Sequence, residues 1–332
     1  MDFRTIITPQ AGLTGLVRHG EPILLVGSCF SDNIGACLRD ELFEVNVNPF
    51  GPLYNPLSIR RAFEVLATRR SVGLDELFES AERWNSFLFH SRYSGVTPDE
   101  AADTMNRQIN AAAECLENAS MVIITLGTTR TFVNREDGET VANCHKLPGN
   151  RFDMKRLSLD EVTTALRETV EIIRSVNSKA SIVFTVSPLR YTEQGAHGNQ
   201  IAKSTLLLAV DSIVNSQSQS RGDEGNITYF PAFEVMIDDL RDYRFYAEDM
   251  KHPTPQAVNY IYELFKDTYC DDPTKVLATE CKALTRRLSH RTMTTAPDAI
   301  ANELTHKSKL ADDFINRHPK LQLACNSYLN SL

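Results

Sequence analysis

The sequence predicts a three-layer α/β sandwich: a central parallel sheet flanked by helices, with an inserted cap region and a C-terminal helical appendage. Three observations predict it. Short, continuous apolar runs recur along the first two thirds of the chain. Stretches with apolar residues at helical spacing lie between them. The two kinds alternate, and strands without a polar face are buried on both sides, as happens where helices cover both faces of a parallel sheet.

The first strand is read at 22–26 (PILLV), followed by a helix over 32–42 with Ser31 or Asp32 suited to cap it. A second strand at 43–47 (FEVNV) leads into the turn-rich NPFGPLYNPLS. The helix after it, 58–68, places Ile59, Ala62, Phe63 and Leu66 on one face. Then come a helix over 98–117, a strand at 121–126 (MVIITL), a helix over 158–176 and a strand at 181–186 (SIVFTV). A helix over 199–215, a strand at 227–230 and a helix over 255–269, after HPTP, complete the series. Two stretches break this rhythm: FLFHSRYS at 87–94 and TFVNREDGETVANCHKLPG at 131–149, the second with a hairpin turn around Asp137-Gly138. They read as insertions near 84–95 and 130–150, at the carboxyl edge of the sheet. The α/β domain is expected over 1–271; residues 272–332, polar and helical without a strand signal, read as a C-terminal helical extension.

With 332 residues, 42% of them hydrophobic, the chain can bury a full core, which excludes a small disulfide-stapled scaffold. A formal net charge of -8 leaves no global positive field for nucleic acid or an anionic membrane. The N-terminus has no apolar core of signal-peptide length, and no stretch approaches the roughly 18 uncharged residues a membrane span needs, so the cytoplasm is the expected location. The seven cysteines form no Cys-x-x-Cys pair, which indicates neither a zinc knuckle nor a redox dithiol; no metal is expected.

Sites in parallel α/β sheets form where strand ends meet helix starts, so the residues after each strand carry the candidates. Gly27-Ser28-Cys29 follows the first. A cysteine on such a turn exposes its sulfur at the sheet edge, and the helix N-terminus favours the nucleophilic thiolate. The other reading is a small buried residue kept for packing. Asp249-x-x-His252 follows the last strand. There a carboxylate can hold the imidazole Nδ1 proton while Nε2 faces a nucleophile, or His252 can simply pack the next helix start. Cys29 and Cys37 also suggest redox sensing, but they lie at opposite ends of one helix, where a disulfide is geometrically poor.

Together these motifs resemble the GSCFA family, grouped with the SGNH (GDSL-like) hydrolases. The resemblance is carried by Gly27-Ser28-Cys29-Phe30-Ser31, Gly51-Pro52-Leu53-Tyr54-Asn55-Pro56, Leu126-Gly127-Thr128, Ala142-Asn143-Cys144-His145-Lys146, Ser187-Pro188 and Asp249-Met250-Lys251-His252-Pro253, over about residues 20–270. It implies an SGNH/flavodoxin-like sheet, with Cys29 in the nucleophile position, Ser28 where those hydrolases have aspartate, His252 as base and Asp249 as its orienting partner. It further implies an oxyanion hole from the N–H groups of Cys29 and Gly51. Thr129 stands where an asparagine donor is expected; either its hydroxyl or Asn143 takes that part. His145 and Lys146 are candidates for binding an anionic part of the substrate, with a buried cap strand as the alternative. His90 has a structural and a pocket reading, and Arg190 is either a partner for a substrate carboxylate or phosphate or a surface ion pair. Tyr54 and Asn55 join the candidate substrate contacts. Trp84, the lone tryptophan, is expected in the core or at the pocket rim.

The function so implied is an acyl hydrolase or acyltransferase, esterase- or thioesterase-like, working through an acyl-cysteine on a small-molecule or carbohydrate-linked acyl substrate. No cofactor is required, and acyl-CoA is a candidate donor. The alternative is an inactive SGNH-like ligand-binding module.

Overall fold

The computed structural model describes residues 4–217, 225–290 and 297–330. Strands β1 (Ile23–Gly27), β2 (Val45–Val47), β5 (Met121–Leu126), β9 (Ser181–Val186) and β10 (Ile227–Tyr229) form one parallel sheet in the order β10-β9-β5-β1-β2. Among these five, the first strand in sequence lies between the second and third. That is the flavodoxin-like order, and the crevice at the strand carboxyl ends opens where it reverses, between β1 and β5.

Strands β1, β5 and β9 read as nearly continuous apolar runs because each feeds two cores. Leu24 and Val26 of β1, with Val122, Ile124 and Leu126 of β5, pack under helices α2 (Pro56–Thr68), α3 (Pro98–Asn118), α4 (Leu159–Val176) and α5 (Gly195–Gln217). The alternate residues Ile23, Leu25, Met121 and Ile123 face α1 (Cys29–Asp40) and α7 (Pro255–Tyr269). Between β10 and α7 runs the single turn α6 (Ala232–Glu234), continued by a π-helical turn over Val235–Asp239.

Outside the main sheet, β3 (Phe78–Ser80) and β4 (Arg83–Asn85) make a hairpin, and β6 (Arg130–Asn134), β7 (Thr140–Val141) and β8 (Phe152–Arg156) form an antiparallel sheet ordered β7-β6-β8. Helices α8 (Asp272–Leu288), α9 (Pro297–Arg317) and α10 (Gln322–Leu329) share a third apolar cluster with Leu42. Glu41, buried at the end of α1, accepts from Tyr262 and Lys266 of α7 and from Lys282 of α8 at 2.7–3.1 Å. One carboxylate therefore ties the α/β unit to the helices that follow it.

Helix α1 starts earlier than the sequence reading placed it: Cys29, not Asp32, is its first residue, and Ser28 is the cap, its Oγ accepting from Phe30 N–H. In Ser-Cys-Phe-Ser-Asp three residues can cap, and the one used is the one whose N–H continues the β1–β5 ladder, to Thr125 O at 3.0 Å. Further along α1, Gly35 sits on β2. A Cβ there would lie 2.5 Å from Val47 Cγ2. Gly35→Ala is expected to cost about 1–3 kcal/mol through overpacking, despite alanine's better helix propensity. Urea unfolding checks this, with Val47→Ala recovering part of the loss in the double variant.

Candidate active site

A cavity of about 460 Å³ opens at the carboxyl ends of β1, β5 and β9. It is lined by Cys29, Tyr54, Asn55, Arg190, Asp249 and His252 among others. Residues more than 200 positions apart in sequence thus meet at the point where the strand order reverses.

Cys29 is held there by the turn beneath it. Asn48, in the left-handed region, accepts from Gly27 N–H through Oδ1 at 2.9 Å, and its own N–H donates to Leu25 O at 2.8 Å. Ser31 Oγ donates to Thr125 Oγ1 at 2.8 Å, fixing the first turn of α1 to β5. As the first helical residue, Cys29 has an N–H without a partner inside the helix, beside its own sulfur. The helix N-terminus does not make this thiol acidic, as the sequence reading expected. Burial pushes it up to about 11, the charge of Asp32 acts the same way, and the backbone N–H groups of Cys29 and Phe30 only partly offset this.

His252 and Asp249 form a preset pair. Asp249 Oδ2 lies 2.5 Å from His252 Nδ1, and Oδ1 accepts from the backbone N–H groups of Lys251 and His252 at 2.9 and 3.0 Å. Met250 between them takes a left-handed conformation that closes the turn. The backbone N–H of His252, then its ring and the Lys251 N–H, hold the Asp249 carboxyl well below the usual carboxylate range. Both side chains are close to half exposed, so it is hydrogen bonding, not burial, that orients the ring. Among the described residues no hydrogen bond joins Cys29 to His252, although both line the same cavity.

Several other candidates do not reach the cavity. Ser28 is fully buried and spent on capping, so it cannot contact substrate. Gly51, at φ +84°, already donates its N–H to Asn48 O at 2.7 Å, and a Cβ would fall 2.1 Å from His90 Cβ. Its glycine identity is explained by a tight turn and close approach, and its N–H is not free for an oxyanion. His90 caps its own turn, Nδ1 accepting from Arg92 N–H, with burial lowering its pKa. Thr129 is fully buried with an unpartnered hydroxyl. Its neighbour Thr128 lines the cavity instead, since adjacent residues at a strand end point to opposite sides.

The 142–147 segment is neither an extended strand nor a pocket wall beyond Ala142. His145 and Lys146 are both left-handed, and Asn143 Oδ1 accepts from His145 N–H. His145 Nε2 donates to Ser86 O at 2.8 Å with its ring edge-on to Phe78, and Lys146 is exposed outside the cavity. His145 therefore braces the β3–β4 hairpin, and Asn143 fixes the turn that carries it. Trp84 packs against the main core from β4. Asn55 lines the cavity but spends its amide on Ser58 as the cap of α2. Tyr54 lines it too, with its carbonyl accepting from Gly127 and Thr128 N–H and its phenol pushed up to about 12 by burial. Cys37 lies eight residues from Cys29 on α1, about 12 Å along the axis, twice a disulfide's reach.

Contributors that went unforeseen include Thr128, Arg130, Tyr191, Glu193 and Gln194 in the lining and Lys203 beneath it. Lys203 did carry a signal, a single cation inside the apolar stretch of α5.

The sequence model of the GSCFA family matches residues 22–265, well over half of the chain. No curated protein matches it. Among solved structures the chain is similar to a carbohydrate esterase family 3 crystal structure from Talaromyces cellulolyticus. That match has 8% identity and a TM-score of 0.35 and covers 78% of this chain and 99% of the other, too distant a likeness to carry an argument.

Proposed function

The chain belongs to the GSCFA family, and we propose that it is an acyl hydrolase or acyltransferase acting on ester or thioester bonds through Cys29. One observation carries this reading: Cys29, at the head of α1, lines the same cavity as a His252 whose Nδ1 is already held by Asp249. His252 Nε2 takes the thiol proton as the sulfur attacks the acyl carbon, and the carbonyl electron pair moves onto oxygen. The Cys29 N–H meets that oxygen. Thr128 Oγ1 accepts from Gln194 Nε2 at 2.8 Å and Arg130 N–H at 3.1 Å, which leaves its O–H to donate as the second partner in place of Gly51 and Thr129. Collapse breaks the bond to the leaving group, which takes the proton from His252 and leaves a thioester on Cys29. Water or another acceptor then attacks it with His252 again as base. A thioester intermediate suits exchange with thioester donors as well as hydrolysis.

Intact-protein mass spectrometry after incubation with p-nitrophenyl esters and acyl thioesters tests the reading. An acyl adduct on Cys29, absent from Cys29→Ala, is expected. The rival, an inactive binding module, is favoured by the high thiol pKa and by the lack, among the described residues, of a hydrogen bond between thiol and imidazole. It requires no adduct with any donor and alkylation of Cys29 by iodoacetamide no faster than free cysteine.

A further inference from the structure

The charged groups around the cavity do not balance. Lys251 Nζ lies 3.5 Å from Glu193, and Asp249 is taken by His252. Arg130 and Arg190 remain. Among the described residues neither guanidinium has a carboxylate partner, although the chain as a whole is acidic by eight charges. Arg190 is nevertheless ordered: its Nε donates to Tyr246 O–H at 3.2 Å, its guanidinium stands 5.9 Å from the Tyr246 ring centre, and its backbone N–H donates to Lys251 O. Arg130 opens β6 directly across the ladder from Arg156 of β8. Like charges opposite each other on one face of a sheet repel, so the ladder itself offers Arg130 no compensating charge. A half-buried cavity edge carrying two such forks matches an oxyanion that accepts two N–H bonds from each.

We propose that the cavity takes an acyl substrate carrying its own oxyanion group, a carboxylate or a phosphate, seated between Arg130 and Arg190. The acyl nature of the substrate rests on the function proposed above; the anion site does not. A neutral ester of the same length would leave both guanidiniums unpaired on entering the cavity, so the arrangement selects against it.

Calorimetric titration of the full chain with inorganic phosphate and with succinate tests this without turnover. At least one anion is expected to bind wild type, and which of the two binds distinguishes a phosphate-bearing from a carboxylate-bearing substrate. Arg130→Met and Arg190→Met are each expected to weaken that binding roughly tenfold or more, and Arg69→Met, in an ion pair with Glu117 at the end of α2, leaves it unchanged. Wild-type binding falls with added salt. A second measurement needs no loss-of-binding variant: wild-type Cys29 is expected to react with anionic iodoacetate faster, relative to neutral iodoacetamide, than any other accessible cysteine of the chain. No binding of either anion to wild type, or equal binding by the Arg130 and Arg190 variants, overturns the proposal. Anion binding without any acyl adduct on Cys29 supports the site and tells against acyl transfer alone.

Discussion

Cys29→Ala is expected to lower kcat/KM on a substrate that acylates wild type by at least about a thousandfold, and His252→Ala by a similar factor, with the double variant little worse than either single one. The reason for non-additivity is that sulfur and imidazole act on one proton: removing either leaves the other without a task. Asp249→Asn is expected to cost roughly a hundredfold or more. Here the loss comes from orientation, because Oδ1 alone also accepts from two backbone N–H groups, and asparagine keeps that turn while turning an amide toward the ring. The pH profile separates two ways of making the nucleophile. With the thiol at about 11, a mechanism that waits for free thiolate would gain about tenfold per pH unit up to that value. Proton transfer to His252 during attack instead gives a plateau once the imidazole is neutral, and this is the profile expected. Steady-state rates from pH 5 to 10 decide between them, and a continuous climb to the alkaline limit would remove His252 from its role.

The sheet was legible because buried parallel strands write themselves as uninterrupted apolar runs, each bounded by a turn. Legible in part was the Asp249–His252 pair: the Asp-x-x-His spacing lets a carboxylate reach the imidazole Nδ1, while the packing of His252 on the next helix start stayed open until the left-handed Met250 closed the turn. What failed were questions of single residues. Gly51 carries the motif, but whether its N–H is free depends on Asn48 O, supplied by a left-handed turn that no pattern announces. Thr128 and Thr129 are chemically identical, and one position of register decides which faces the cavity. His145 and Lys146 read as extended because two consecutive left-handed residues that are not glycine are rarely worth expecting. The thiol's acidity failed for another reason. The helix N-terminus was visible in sequence, but the burial that outweighs it was not.

The residue below the site gives the other large effect. Lys203 is fully buried, and its Nζ donates to Gly127 O and Ser187 O, each at 2.8 Å, joining the turns after β5 and β9 that carry Thr128 and Arg190. Two acceptors match the two N–H bonds of a neutral amine; among the described residues a third proton finds the faces of Tyr191 and Phe233, 5.3 and 5.6 Å away. Burial accordingly pulls the ammonium down to about 7. An unfolded lysine titrates near 10.4, so between those values the unfolded chain binds the extra proton and the folded one does not. Stability from this group therefore rises with pH, by up to about 1.4 kcal/mol per unit above pH 7. Buried thiols such as Cys29, raised in the folded state, pull the other way above about pH 9. Lys203→Met leaves two carbonyls without donors and is expected to cost about 2–4 kcal/mol near pH 8.5, and less near pH 6, where wild type bears the buried charge that methionine lacks. Urea unfolding of both proteins at pH 6, 7 and 8.5 gives the difference directly, with the thiol contributions common to both. A gap that is constant or shrinks as pH rises would mean the lysine stays charged in its pocket, held by the aromatic faces rather than by the two carbonyls.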